Sequence, residues 1–217
     1  MLKFQFAIEK EQPLKVLCLG AHSDDIEIGC GGTLLRLLHE YDRLCAYWVV
    51  FAANAERRAE AEKSANLFLA KASKKEIIVK KFKESFFPYT GDKIKEYFES
   101  LKHEFSPDII FTHYRNDLHQ DHRLISELTW NTFRDHLILE YEIPKYDGDL
   151  GQPNYFVHLN EALCGKKIEN ILNCFKTQKT NHWFTQDTFL SMLRIRGIES
   201  NAPGKYAEGF YCRKMIT

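Results

Sequence analysis

The stretch KVLCLGAHSDDIEIGCGGTLLRLLHEY, residues 15–41, decides the fold. Residues 15–20 (KVLCLG) form a short apolar run closed by glycine, and residues 32–41 (GTLLRLLHEY) carry leucines at helical spacing. The reading is therefore strand, polar loop, helix. The same alternation recurs downstream. Residues 44–52 (LCAYWVVFA) read as a strand and 55–70 as an alanine- and glutamate-rich helix; 76–82 and 108–112 (DIIFT) read as further strands. Between those two lies a helix at about 92–104 that stops before Pro107, and another helix runs at about 121–134. Short apolar runs alternating with such helices predict a mostly parallel sheet with right-handed crossovers, covered on both faces. The expected fold class is α/β, a three-layer α/β/α arrangement of the Rossmann-like kind.

Past residue 137 the pattern weakens. Residues 137–142 and 155–159 read as strands around a Pro/Gly/Asp-rich loop, 144–153, with helices at about 161–175 and 185–196. No repeat or linker interrupts the chain, so one domain over 1–217 is expected. The 144–153 loop and the segment near Lys176 are expected to border a substrate pocket, because loops on a rigid scaffold carry recognition.

Composition narrows the function. The chain has 217 residues, 44% hydrophobic and 28% charged, with 30 Lys+Arg against 30 Asp+Glu. That is a globular composition without the basic excess of a nucleic-acid or membrane-surface binder. Six cysteines, at 18, 30, 45, 164, 174 and 212, show no C-x-x-C spacing and read as small hydrophobes. Residues 1–14 lack a leader pattern, and no run approaches the ~18 apolar residues of a membrane span. A cytoplasmic location is expected.

Chemistry gathers in two places. Ala21-His22-Ser23-Asp24-Asp25 follows the first strand, and His113-Tyr114-Arg115-Asn116-Asp117-Leu118-His119-Gln120-Asp121-His122 follows the DIIFT strand. In an open parallel sheet, ligands bind beyond the carboxyl ends of the strands, which is where both segments fall. Imidazole and carboxylate donors suit zinc, and a catalytic zinc takes three protein ligands and leaves one position open. His22, Asp25 and His122 would supply that set. The bland alternative is that Asp24 or Asp25, and Asp121, merely cap helices. The glycines at 29, 31 and 32 fit neither G-x-G-x-x-G nor a P-loop and read as close packing at a helix start.

These residues resemble a known family. A-H-S-D-D-x-x-x-G-C-G-G-T and H-x-x-x-D-x-H-x-D-H are similar to the motifs of the LmbE-like, or PIG-L-like, zinc-dependent N-deacetylases that act on N-acetylglucosaminyl groups. Arg58 and Glu60, Lys176-Thr177-Gln178 and Tyr206-Ala207-Glu208 also look like family positions, through shorter motifs. The resemblance implies that His22, Asp25 and His122 bind the metal, Asp24 is the general base, and His119 assists the tetrahedral intermediate. Asp121 would orient a neighbouring histidine, and Arg58, Asp117, Lys176 and Glu208 would contact substrate. Ser23 stands where the family usually has proline, which leaves the ligand spacing intact.

The expected function is hydrolytic removal of acetyl from an N-acetylated amino sugar or sugar conjugate. The cofactor would be one Zn2+ per chain, or another divalent transition metal. The expected partner is that small molecule, with no nucleic acid and no membrane; a homo-oligomer is left open. The rival readings are a metal-dependent hydrolase of another substrate such as a phosphoester, and a non-catalytic sugar-binding module.

Overall fold

A computed structural model describes residue 6 and residues 12–216. The leader reading of residues 1–14 thus falls mostly outside the described residues. Seven strands form one sheet: β1 (Leu14–Gly20), β2 (Leu44–Val50), β3 (Lys74–Val79), β4 (Ile109–His113), β5 (Leu137–Tyr141), β6 (Tyr155–Leu159) and β7 (Tyr206–Cys212), in the order β3-β2-β1-β4-β5-β7-β6. The first five are parallel. β7 runs antiparallel to both β5 and β6.

The helices are α1 (Asp25–Glu40), α2 (Ala55–Phe68), α3 (Gly91–Glu104), α4 (Gln120–Thr132), α5 (Glu161–Cys174) and α6 (Gln186–Glu199). Side chains on a strand alternate between faces, and β1 shows the result. Val16 and Cys18 join a core with Leu34, Ala61, Ile168 and Leu193 from α1, α2, α5 and α6. Leu17 and Leu19 join one with Ile94, Phe98 and Ile125 from α3 and α4. The outcome is the expected α/β/α sandwich. No described helix is long and apolar enough to cross a membrane.

Two local readings need correction. The first helix begins at Asp25, not at Gly32, so the glycine run lies inside it. A Cβ at Gly29 would sit 2.1 Å from the Tyr141 ring, one at Gly31 2.6 Å from Phe68, and one at Gly32 2.5 Å from Leu159. These contacts let α1 press onto β5, α2 and β6 at once. Gly29→Ala should lower stability by about 1–3 kcal/mol through overpacking against Tyr141, read as a fall in the urea midpoint. The second correction is β7, absent from the sequence reading. Its buried Glu208 interrupts the apolar run that would have announced a strand.

Among the five parallel strands the order reverses at one place. β1 and β4 are neighbours, and the crossovers leave them in opposite directions across the sheet. The loops after those two strands therefore face one another at the carboxyl edge, where a crevice forms.

Candidate active site

The loop after β1 closes tightly. The backbone N–H of His22 donates to Asp25 Oδ2 at 2.6 Å, and that of Ala21 donates to His113 Nε2 at 2.9 Å. Asp24 occupies the N-cap position of α1 but makes no capping bond. At the start of α4 the cap is His119, whose Nδ1 accepts from the N–H of Asp121 at 3.2 Å. Neither aspartate is spent on capping. His119, which accepts through Nδ1, carries its proton on Nε2 and is a hydrogen-bond donor there.

His22, Asp25 and His122 meet in a buried cluster. His22 Nδ1 lies 3.1 Å from His122 Nε2 and 3.5 Å from Asp25 Oδ2, and His122 Nε2 lies 3.6 Å from the same Oδ2. The outer nitrogens of both histidines are committed elsewhere. His122 Nδ1 donates to Asp117 Oδ2 at 2.9 Å, and His22 Nε2 to Asp121 Oδ2 at 3.2 Å. Each ring, in its neutral form, consequently turns its lone pair inward, towards the other ring and towards a carboxylate oxygen. That arrangement calls for a cation.

The electrostatics repeat the point. Burial alone would lower His22, but Asp25 and Asp121 raise it to about 10, because the two carboxylates draw positive charge into the cluster, as a proton or as a metal ion. His122 falls to about 3, through burial and the neighbouring His113. Asp25 is buried, yet His122, His113 and His22 hold it well below the usual carboxylate range. Burial pushes Asp24 up to about 6 against the pull of Arg57, with Asp25 adding to the rise. Glu27, wholly buried two residues beyond Asp25, is pushed well above its ordinary range by burial.

Asp117 and Asp121 stand behind the two histidines. Asp117 also accepts from the N–H of His119 at 2.8 Å and pairs with Lys145 at 2.9 Å; Asp121 also accepts from the N–H groups of Ser85 and Phe87. Asp117, expected at the substrate, is thus placed where it orients His122. Of the two arginines on α2, Arg57 reaches the site and Arg58 does not. Arg57 donates to Asp24 Oδ1 at 3.0 Å and to Ser23 Oγ at 2.8 Å, with its side chain 14% exposed, whereas Arg58 is 40% exposed and pairs with Glu62. Adjacent helical residues point about 100° apart, and only the tertiary contact chooses between them.

Lys176 and Glu208 are not brought into the cluster. Lys176 is exposed, its ammonium on the Leu172 carbonyl of its own helix end. Next to it, Thr177 is stapled to Glu60 of α2. Glu208 is buried, accepting from the N–H of Gly32 at 2.8 Å and of Thr33 at 2.6 Å and pairing with Lys167 at 2.6 Å. Lys167 also donates to the Ile28 carbonyl at 2.6 Å, so the ion pair contacts the backbone of α1 at Ile28, Gly32 and Thr33. His113, to which the sequence reading gave no role, is fully buried. It stacks on His122 with ring centroids 3.9 Å apart, and its Nε2 lies 3.2 Å from Asp25 Oδ2. Its position as the last residue of β4, opening the polar run, was the one available signal.

Known proteins share this architecture. A sequence model of the family described as PIG-L: GlcNAc-PI de-N-acetylase matches residues 17–133. A conserved protein from Thermus thermophilus superposes with a TM-score of 0.75 at 18% identity, covering 94% of this chain and 96% of that one. The N,N'-diacetylchitobiose deacetylase of Pyrococcus horikoshii, solved with an inhibitor, gives 0.66 at 21% identity over 91% of this chain and 83% of that one. A 4-carboxy-2-hydroxymuconate hydratase from Pseudomonas putida gives 0.75 at 16% identity over 94% and 98%. At these identities the likeness is one of fold.

Proposed function

Because the chain belongs to the PIG-L family of GlcNAc-PI de-N-acetylases, we propose that it is a zinc-dependent N-deacetylase acting on an N-acetylated amino sugar or sugar conjugate. The hydratase neighbour is a reminder that this fold carries other chemistry, so the reading rests on the site and the family and not on the fold. The observation that carries it is the set of three inward lone pairs. Their separations of 3.1, 3.5 and 3.6 Å match the roughly 3.3–3.5 Å between donors around a tetrahedral zinc with ~2.0–2.2 Å bonds. His22, Asp25 and His122 would hold the ion and leave one position open.

When bound, zinc would supply a lowered pKa for water and a polarised amide carbonyl. The chain's own groups do the rest. Asp24, raised towards neutral pH by burial and held in place by Arg57, takes a proton from the attacking water. His119 Nε2–H donates to the oxygen that becomes negative as water adds to the carbonyl carbon. The C–N bond then breaks, and Asp24 passes its proton to the departing amine, leaving acetate and a free amino sugar. Asp117 and Asp121 fix the tautomers that this scheme requires.

The candidate metal groups among the described residues, His22 with His119 and His122, and Asp25 with His113 and His122, share His122. That sharing favours one ion per chain over the two metals of many phosphoesterases. The six unpaired cysteines suit a reducing, cytoplasmic setting. The test is metal analysis with an acetate-release screen over N-acetylglucosaminides and other N-acetylated sugars. One zinc per chain and acetate from at least one sugar are expected; two metals per chain, or no acetate from any, would overturn the reading.

A further inference from the structure

We propose that the amino sugar is taken as a glycoside whose aglycone is aromatic or otherwise apolar, and that this aglycone rests on a rim formed by Phe86, Tyr89, Leu118, Tyr146 and Leu150. The proposal rests on the deacetylase reading and specifies its substrate class.

The five side chains are exposed, Tyr89 by 81% and Tyr146 by 74%. They come from three segments, following β3, β4 and β5, that leave the sheet at the same carboxyl edge as His22 and His122. Among the described residues, the other exposed large apolar side chains, Leu67, Ile195, Ile198, Met215 and Ile216, are scattered over α2, α6 and the C-terminal segment. Isolated exposed apolar residues are ordinary, whereas a group of them round the mouth of a site marks recognition.

Each rim segment is tied to the catalytic cluster. Phe86 lies between Ser85 and Phe87, whose N–H groups bind Asp121, and its ring is 5.9 Å from that of Tyr89. Leu118 lies between Asp117 and His119, and its N–H donates to Asp149 Oδ2 at 2.7 Å. Tyr146 follows Lys145, whose ammonium bridges Asp117 and Asp149. The exposed rings are thereby carried on backbone already held in place, so little ordering remains to oppose binding.

Side-chain chemistry points to the class of aglycone. Glu84 pairs with Arg57, Asp149 with Lys145 and Lys145 with Asp117, and Lys83 lies over the Phe86 ring. Lys81, Arg115 and Asp147 are exposed in the same segments. The large exposed side chains of the rim itself are aromatic and aliphatic.

The experiment compares acetate release by the zinc-loaded full chain from the methyl and phenyl β-glycosides of N-acetylglucosamine. The phenyl glycoside should be favoured roughly 10–100-fold in kcat/KM, mainly through a lower KM, the gain expected from one or two aromatic contacts. In the double variant Tyr89→Ala/Tyr146→Ala the phenyl-to-methyl ratio should fall towards one. Equal kcat/KM for the two glycosides in the wild type, or a preference that survives the double variant, would overturn the rim. So would a change of molecular mass in the double variant with the preference intact, which would make the rim an interface between two copies. Absence of acetate from both glycosides, with none from any sugar of the wider screen, would overturn the deacetylase reading itself. The rim is then judged by calorimetric titration of the same two glycosides into the zinc-loaded protein, where equal affinity rejects it and tighter phenyl binding supports it.

Discussion

Asp24→Asn is expected to keep its zinc and to lose about 10²–10⁴-fold in acetate release, the usual contribution of a positioned acid–base group. Asparagine fills the same volume, and its carbonyl oxygen can still accept from Arg57, as Asp24 Oδ1 does at 3.0 Å. What it cannot do is take a proton. Asp25→Asn should behave differently, because Oδ2 of Asp25 faces both histidine lone pairs and its charge is part of what holds a cation there. Metal binding should weaken, and added zinc should restore part of the activity. Zinc content and acetate release, measured for both variants at saturating metal, separate the two aspartates. Near-wild-type turnover in Asp24→Asn, or metal loss from it equal to that in Asp25→Asn, would remove Asp24 from the role of base.

His122→Ala is expected to purify nearly free of zinc. Its Nε2 is within 3.1 Å of His22 Nδ1 and 3.6 Å of Asp25 Oδ2, so its loss removes one of three donors and opens the cluster. The fall in zinc affinity should exceed the roughly 10–100-fold that replacing an outer carboxylate such as Asp117 costs. The fold should survive, since Asp117 keeps Lys145 as a partner and Asp25 keeps the His22 N–H and His113. Equilibrium dialysis with zinc and a circular-dichroism melt measure the two halves of this expectation. Full zinc occupancy would falsify the place of His122 in the metal site.

The local parts of this molecule were open to reading in order along the chain. Strand and helix differ in hydrophobic period over a few residues, so the first six strands and all six helices were legible to within a few residues, the start of α1 excepted. The candidate site was legible for a related reason. A parallel sheet puts the carboxyl ends of its strands on one edge, so two polar clusters ending two strands are brought together by topology before any contact is known.

Contacts between distant residues were beyond that reading. The glycines of α1 read as close packing at a helix start, but the rings they admit, Phe68 and Tyr141, belong to other elements and could not be named from the sequence. Glu208 looked like a substrate residue, although its partners are backbone N–H groups 175 and 176 positions away and the ammonium of Lys167. Arg57 and Arg58 are chemically the same and adjacent, so only the packing of α2 against the loop after β1 determines which one meets Asp24. Sequence by itself determined what depends on period and spacing: the α/β alternation and the presence of His22, Asp24, Asp25, His119 and His122 on one edge of the sheet. Tertiary structure alone decided which nitrogen of each histidine turns inward, that His113 lies behind Asp25, and that β7 inserts antiparallel between β5 and β6. The physical reason is that a tautomer, a buried ion pair and a strand pairing are each set by a partner remote in sequence, whose approach no local pattern encodes.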